Sequence, residues 1–202
     1  MITTTNQSRR GAERIAAVVS HDEQTTIEAF ETDLGWMAIA WREDALEGIV
    51  FGHASRRNAG IALARSLRML QPHGRLAGEG LLSDAPHWVK EFVDDLQRFA
   101  EGESVDFSDV PLALDHLTPF AYRVVAACRR IRWGQTRTYG DLANECGAPG
   151  AARAVGTVMA KNRFPLVVPC HRVLAAGGAL GGYSAPDGLS MKRRLLAMEQ
   201  AG

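Results

Sequence analysis

Apolar residues alternate in the first quarter of the chain and recur at threes and fours beyond it. Thr26–Phe30, Trp36–Trp41 and Gly48–Phe51 are short runs of apolar and β-branched residues, and Arg42-Glu43-Asp44 reads as a turn between the last two. These runs predict strands. From Leu63 the period changes. Leu63, Leu67 and Leu70 repeat at four and three, and Val89, Phe92, Val93, Leu96, Phe99 and Ala100 form an amphipathic stripe over four turns. Pro86 before that stripe and Gly102 after it fit the start and stop of a helix. Val105 to Leu114, containing Pro111, interrupts the periodicity and reads as a connector. Thr118 then fits an N-cap with Pro119 at the first helical position. Phe120, Val124, Val125, Cys128 and Ile131 follow at helical spacing, with Cys128 as a small core residue.

The pattern predicts an α+β protein. Residues 1–14 are expected to be a flexible tail and 15–110 a small N-terminal α/β domain. Residues 111–202 are expected to form a mostly helical, winged-helix-like (helix-turn-helix) domain. No internal repeat or low-complexity tract is present.

Composition narrows the class. The 202 residues are 46% hydrophobic and 23% charged, as in ordinary globular chains. No apolar run approaches the roughly 18 residues of a membrane span, and the polar N-terminus lacks the apolar region of a secretory signal. These features predict an intracellular, cytoplasmic protein with no membrane partner. Three cysteines, Cys128, Cys146 and Cys170, make an odd count without any CxxC pair. That argues against a disulfide framework and against a cysteine zinc site, so no metal and no cofactor are expected. His21, His53, His73 and His87 are scattered among polar or loop residues and read as surface or packing histidines.

The zero net charge conceals a split. Residues 1–110 carry 11 Lys and Arg against 18 Asp and Glu, a balance of −7, whereas residues 111–202 carry 12 against 5, a balance of +7. Ten of those twelve cations are arginine, which suits planar contact with phosphate or a base edge. A polyanion partner for this half and a solvated basic face are both compatible with the charge alone.

Within the basic half, Thr138-Tyr139-Gly140-Asp141 fits a capping box, followed by Leu142, Ala143 and Cys146 and a stop at Gly147. Ala148-Pro149-Gly150 makes a turn and Ala151–Ala160 a second helix. Two short helices about a tight turn form a helix-turn-helix pattern, whose second helix meets DNA. On it Ala151, Ala152, Ala154 and Gly156 are small, and Arg153 is the one long cationic side chain. An Ala-rich core helix is the plainer alternative.

Leu166-Val167-Val168, bounded by Pro165 and Pro169, predicts a buried strand that delivers Cys170 at its end. His171 and Arg172 beside Cys170 predict a cationic setting that lowers the thiol pKa. Glu199 sits beside the apolar Leu195, Leu196 and Met198 of a C-terminal helix, where a carboxylate needs a partner. His171 is the candidate, which gives a nucleophile, base and orienter series. Taken alone, a Cys-His pair of this kind is equally compatible with a packing cysteine and a satisfied histidine.

Pro169-Cys170-His171-Arg172-Val173 resembles the active-site signature of the O6-alkylguanine-DNA alkyltransferases, the methylated-DNA–protein-cysteine methyltransferases. The resemblance runs from about Thr118 to Glu199. It includes the Thr-x-Phe start of the first helix, Thr138-Tyr139 with Leu142-Ala143, Ala152-Arg153-Ala154-Val155-Gly156, Asn162, and Gly182-Tyr183-Ser184. It departs at Ala121, where the family usually has Gln, and at Arg132-Trp133-Gly134, where a Pro-x-Gly turn is common.

The resemblance implies direct reversal of O6-alkylguanine damage, and of O4-alkylthymine damage, with Cys170 as the irreversible alkyl acceptor. It implies that His171 acts as base through a water, that Glu199 orients it, and that Tyr139 assists the leaving guanine. Arg153 would replace a flipped nucleotide. Thr138, Ala151, Ala152, Ala154 and Gly156 would approach the minor groove of double-stranded DNA. Asn162 would tie the recognition helix to the active-site segment. Tyr183 and Ser184 would line the pocket, with Pro169, Arg172 and Val173 as its structural surround. The protein would act as a monomer, associated with the nucleoid when bound. The alternatives are a non-enzymatic lesion binder, a cysteine hydrolase and a helix-turn-helix regulator.

Overall fold

The computed structural model describes residues 25–67 and 81–201. The expected tail, His21, Leu70 and His73 lie outside them. Strands β1 (Thr26–Phe30), β2 (Trp36–Arg42) and β3 (Ala45–His53) form an antiparallel sheet in that order. Arg42 pairs directly with Ala45, so Glu43 and Asp44 alone turn the chain, with Glu43 at φ 50°. Period-two alternation sorts the central strand onto two buried faces. Ala38 and Ala40 join Ile27 and Ala29 against helix α1 (Arg56–Ser66), where Ala59 and Leu63 complete a small apolar cluster. Met37, Ile39 and Trp41 face the opposite way into the main core.

That core is continuous across residue 111. It includes the buried stripe of helix α3 (His87–Ala100), which follows the short α2 (Leu81–Asp84). It also takes Val124, Val125, Ala127 and Cys128 of helix α4 (Pro119–Arg129). Phe99 meets the Trp133 ring edge-on at 5.4 Å, which joins α3 to the loop after α4. The connector is held at both ends. Arg129 donates to the carbonyls of Phe107 and Val110 at 2.7 and 2.6 Å. Leu46 of β3 donates to Pro111 O at 2.8 Å, and its own carbonyl accepts from Ala113. Three residues further along the same strand edge, Ile49 donates to Arg163 O at 2.8 Å. The outer edge of β3 therefore grips both the connector and the segment leading to Cys170.

Thr118 caps α4 by accepting from Ala121 N. Thr138 Oγ1 accepts from Asp141 N at 3.0 Å while Thr138 N donates to Asp141 Oδ2 at 2.8 Å, a reciprocal capping box for helix α5 (Tyr139–Glu145). Gly147, at φ 69°, ends it in the left-handed region that glycine adopts at least cost. Helix α6 (Ala152–Ala160) follows across the Ala148–Gly150 turn. Strands β4 (Arg137–Thr138) and β5 (Val173–Leu174) pair in parallel. That pairing sets the start of α5 beside the segment that follows Cys170. Helix α7 (Leu189–Ala201) closes the chain.

Leu166-Val167-Val168 differs from its expected form. It is buried but is not a strand. Leu166 stands at φ 73°, and Val168 N donates back to Phe164 O at 2.7 Å, so the segment turns. A three-residue apolar run is compatible with a buried strand or a buried turn, and nothing local decides between them. No helix among the described residues is long and apolar enough to cross a membrane.

Candidate active site and nucleic-acid interface

Cys170, His171 and Arg172 form a single 3-10 turn directly after Pro169. All three are buried, Cys170 at 7% exposure and His171 at 0%. Glu199 reaches this turn from α7. Its Oε1 lies 2.7 Å from His171 Nε2. A neutral imidazole donates from Nε2 to the carboxylate, so Nδ1 carries the lone pair. That Nδ1 is buried with no protein partner. Arg172 Nε donates to both Glu199 oxygens at 3.0 Å, Nη2 donates to Oε1 at 2.9 Å, and Nη1 donates to Ile131 O at 2.6 Å. Gly134 N adds a bond to Oε2 at 3.3 Å. Gly134 sits at φ 70°, where a Cβ would come within 3.3 Å of the Glu199 carbonyl. Glycine is therefore required in the loop that departs from the family pattern.

Burial alone would raise the Glu199 pKa, but the hydrogen bonds from His171 and Arg172 outweigh it and hold the carboxyl below its ordinary range. Burial pushes His171 below 6.5, against the pull of Glu199. The imidazole is thus a neutral base at pH 7.

Cys170 corrects the expected thiol acidity. Burial raises its pKa above the ordinary value of 9.0, and the Asn162 amide and the Lys192 ammonium pull it back only in part. His171 is neutral and Arg172 is committed to Glu199, so neither supplies the cation. Lys192 does. It is 0% exposed on α7, and its Nζ donates to Val173 O at 2.6 Å and to Leu180 O. It has no carboxylate partner among the described residues, and burial lowers its pKa while a Cys170 thiolate would raise it. Sequence reasoning missed Lys192 because Lys192-Arg193-Arg194 looks like a solvated basic edge. The signal was present, since Lys192, Leu195 and Glu199 lie three and four residues apart on one helix face.

Asn162 donates from Nδ2 to Val168 O at 2.8 Å and accepts from Phe164 N at 3.0 Å, so it spans the turn that leads to Cys170. Tyr139, first in α5, is half-buried, and burial raises its pKa. Gly181 packs on its ring and hydroxyl so closely that a Cβ there would lie 3.0 Å from the Tyr139 oxygen. The Tyr183 hydroxyl is buried without a partner, and burial raises its pKa strongly. Ser184 is exposed beside it. Cys170, Tyr183, Ser184 and Asn162 are among the residues that line a cavity of about 1060 Å³. Val173 is fully buried beneath the turn.

On α6, Val155 and Met159 are buried, Ala151, Ala152 and Gly156 are half-buried, and Arg153 and Ala154 are exposed. The Arg153 guanidinium makes no ion pair among the described residues. Thr138 is half-buried at the base of α5. The plus-seven balance does not all face solvent, because Arg172 and Lys192 are internal and Arg129 is bound to the connector. His87 pairs with Glu91 at the surface, and His53 lines the cavity.

Residues 119–201 match the family described as the 6-O-methylguanine DNA methyltransferase, DNA binding domain. A Mycobacterium bovis methylated-DNA–protein-cysteine methyltransferase is 43% identical over 121 residues, covering 57% of this chain and 71% of its own. One from Metallosphaera sedula is 41% identical over 104 residues, covering 52% and 63%. The crystal structure of Mycobacterium tuberculosis OGT in complex with DNA superposes with a TM-score of 0.67 at 31% identity, covering 87% of this chain and 93% of that one. The O6-methylguanine-DNA methyltransferase of Pyrococcus kodakaraensis superposes with a TM-score of 0.62 at 26% identity, covering 86% and 99%. Fold, cysteine setting and sequence agree, and this chain belongs to the methylated-DNA–protein-cysteine methyltransferase family.

Proposed function

We propose that the chain repairs alkylated duplex DNA by moving the alkyl group from guanine O6 to Cys170. The observation that carries this reading is the buried Cys170–His171–Glu199 series, whose Cys170 lines a cavity, with His171 held neutral and its Nδ1 free of protein partners. His171 Nδ1 takes the Sγ proton through a water. The thiolate forms under the fixed charge of Lys192 and attacks the alkyl carbon in line. The S–C bond forms as the C–O6 bond breaks, and the electron pair goes to the guanine ring. The Tyr139 hydroxyl donates to the ring nitrogen that gains this charge, a hydrogen bond that strengthens towards the transition state. The thioether has no easy leaving group, so each chain turns over once. O4-alkylthymine presents the same C–O bond and is a second substrate.

A base inside the duplex is beyond reach of a buried thiol, so the nucleotide must be extruded. Arg153, exposed and unpaired on α6, fills its place while the small residues around it and Thr138 meet the minor groove. The chain acts as a monomer on nucleoid DNA in the cytoplasm.

A duplex carrying labelled O6-methylguanine tests this reading. Native protein is expected to take one label per chain, and Cys170→Ala none, while binding the duplex with near-native affinity. Binding without transfer by native protein would make it a lesion binder, and neither would leave a hydrolase.

Charge gives a further expectation. With a handful of phosphates contacted, log K should fall against log salt with a slope of about −2 to −5. A slope near zero in a titration series excludes the basic-face contact.

The pH profile follows from His171. Its folded pKa lies below 6.5, so transfer should persist unchanged down to pH 6.5 and fall only below it, as the base takes a proton. Stability has the same sign. The unfolded imidazole binds a proton first, so stability drops as pH falls through 6.5. The Glu199 contribution, present above 4.5, is lost further into acid. A rate that falls between pH 8 and 7 contradicts the assignment.

A further inference from the structure

The loop after α4 holds the Glu199–Arg172 pair at two points. Ile131 O accepts from Arg172 Nη1 at 2.6 Å, and Gly134 N donates to Glu199 Oε2 at 3.3 Å. Glu199 binds His171 through its other oxygen, so the place of this loop bears on the place of the base. The loop is a tight turn, closed by Gln135 N donating to Arg132 O at 3.0 Å. Its sequence, Arg132-Trp133-Gly134, stands where the chain departs from the family's turn.

Backbone bonds from a loop place a carboxylate only if the loop is itself held. Trp133 lies between the two contact points, and its ring meets Phe99 of α3 edge-on with centroids 5.4 Å apart. Phe99 tilts onto Phe107 at 5.7 Å, and Phe107 meets Phe92 edge-on at 5.8 Å. Phe92, Phe99 and Phe107 are all buried, so this series of rings runs back into the core of the N-terminal half. The end of α3 also approaches α7 directly. A Cβ on Gly102 would lie 3.6 Å from Met198 Cγ, one residue before Glu199. The indole serves here through its ring. Its Nε1 is buried with no partner, and an unpaired buried donor costs stability instead of adding it. Edge-to-face aromatic packing is the favourable contact that remains.

We propose that Trp133 is a positioning residue for the Glu199 carboxylate: its ring, seated on Phe99, holds the 131–134 loop where Ile131 O and Gly134 N meet the Glu199–Arg172 pair. The inference rests on the alkyl-transfer reading above and adds a residue to it. No proton or electron pair moves through Trp133. It acts on the rate by keeping Glu199, and through it His171 Nδ1, aligned to take the Cys170 proton.

The full chain is compared with Trp133→Ala, Trp133→Phe and Val89→Ala in single-turnover reactions on a duplex carrying labelled O6-methylguanine. The temperature is one at which denaturation curves show each variant folded. Val89 is fully buried on α3 but ten residues before Phe99, about 15 Å along the helix, so its truncation weakens the core far from the loop. Trp133→Ala should lower the saturating transfer rate by about ten- to a hundredfold, the scale of a misplacement of about 1 Å, and leave the half-saturating duplex concentration unchanged. Trp133→Phe keeps a ring for Phe99 and should restore the native rate. Val89→Ala should lose stability and keep the native rate. If Trp133→Ala does not fold, Phe99→Leu removes the other ring of the contact and should show the same slowing. Folded Trp133→Ala or Phe99→Leu at the native rate overturns the proposal and leaves Trp133 a packing residue. Trp133→Phe as slow as Trp133→Ala overturns it too, as does an equal slowing in Val89→Ala. A raised half-saturating concentration at an unchanged maximal rate gives Trp133 to DNA binding instead. Failure of native protein to take up label removes the alkyl-transfer reading itself, a result distinct from these.

Discussion

Glu199→Ala is expected to lose about 3–5 kcal/mol of folding stability and all measurable alkyl transfer. The carboxylate is 3% exposed and is the only anion that His171 and Arg172 touch among the described residues. Without it the Arg172 guanidinium stays buried with only the Ile131 carbonyl as partner, and an unpaired buried charge is among the costliest defects a core can carry. The imidazole loses its orientation at the same time. Glu199→Gln separates the two effects. It keeps the shape and one neutral oxygen for His171 Nε2 and Arg172 Nη2, but it sets an amide N–H against the Arg172 Nε and Gly134 N donors and removes the negative charge that stabilises a protonated imidazole. Its stability loss should be smaller, with transfer still lost. Denaturant midpoints and single-turnover rates for both variants check this. A stability change below 1 kcal/mol in Glu199→Ala, with transfer intact, would sink the assignment.

The second large effect is expected at Arg153. Arg153→Ala should slow transfer on duplex DNA by roughly two to three decades, since base extrusion costs a few kcal/mol and each decade is 1.36 kcal/mol. Nothing must be extruded when the substrate is the free O6-alkylguanine base, so its rate should match native protein. The variant should also fold normally, because Arg153 is exposed on α6 and its side chain makes no contact that holds the core. The pair of rates decides. If both fall equally, Arg153 supports the thiolate or the fold, and the role assigned to it in the helix-turn-helix is wrong.

What was legible in the sequence was local. The capping box of Thr138 and Asp141, the stop at Gly147 and the stripe of α3 are each set by residues within a turn or two of one another, and each formed where the pattern placed it. The sheet was legible because β2 alternates between two apolar faces. Glu199 stood out because a carboxylate beside buried leucines demands a partner. What failed was long-range. Whether Leu166–Val168 is strand or turn depends on Phe164 and Asn162, which fold the chain back on itself. The direction of the Cys170 pKa depends on how deeply the fold buries it and on which cations are already engaged. His171 and Arg172 are adjacent to Cys170 in sequence, yet Glu199 claims Arg172, and the free charge arrives from Lys192, twenty-two positions beyond the cysteine.

The edge of β3 has a practical consequence for protein engineering. Ile49 N–H and the Arg163 carbonyl join the N-terminal sheet to the loop that leads into Cys170. The acceptor segment therefore takes part of its geometry from a strand more than a hundred residues upstream. A chimera that grafts a foreign N-terminal module onto residues 111–202 must present an amide at that place, in that register. One that matches the linker and the charge but offers a shifted or bulged strand would carry every catalytic side chain and still hold the cysteine loop out of position.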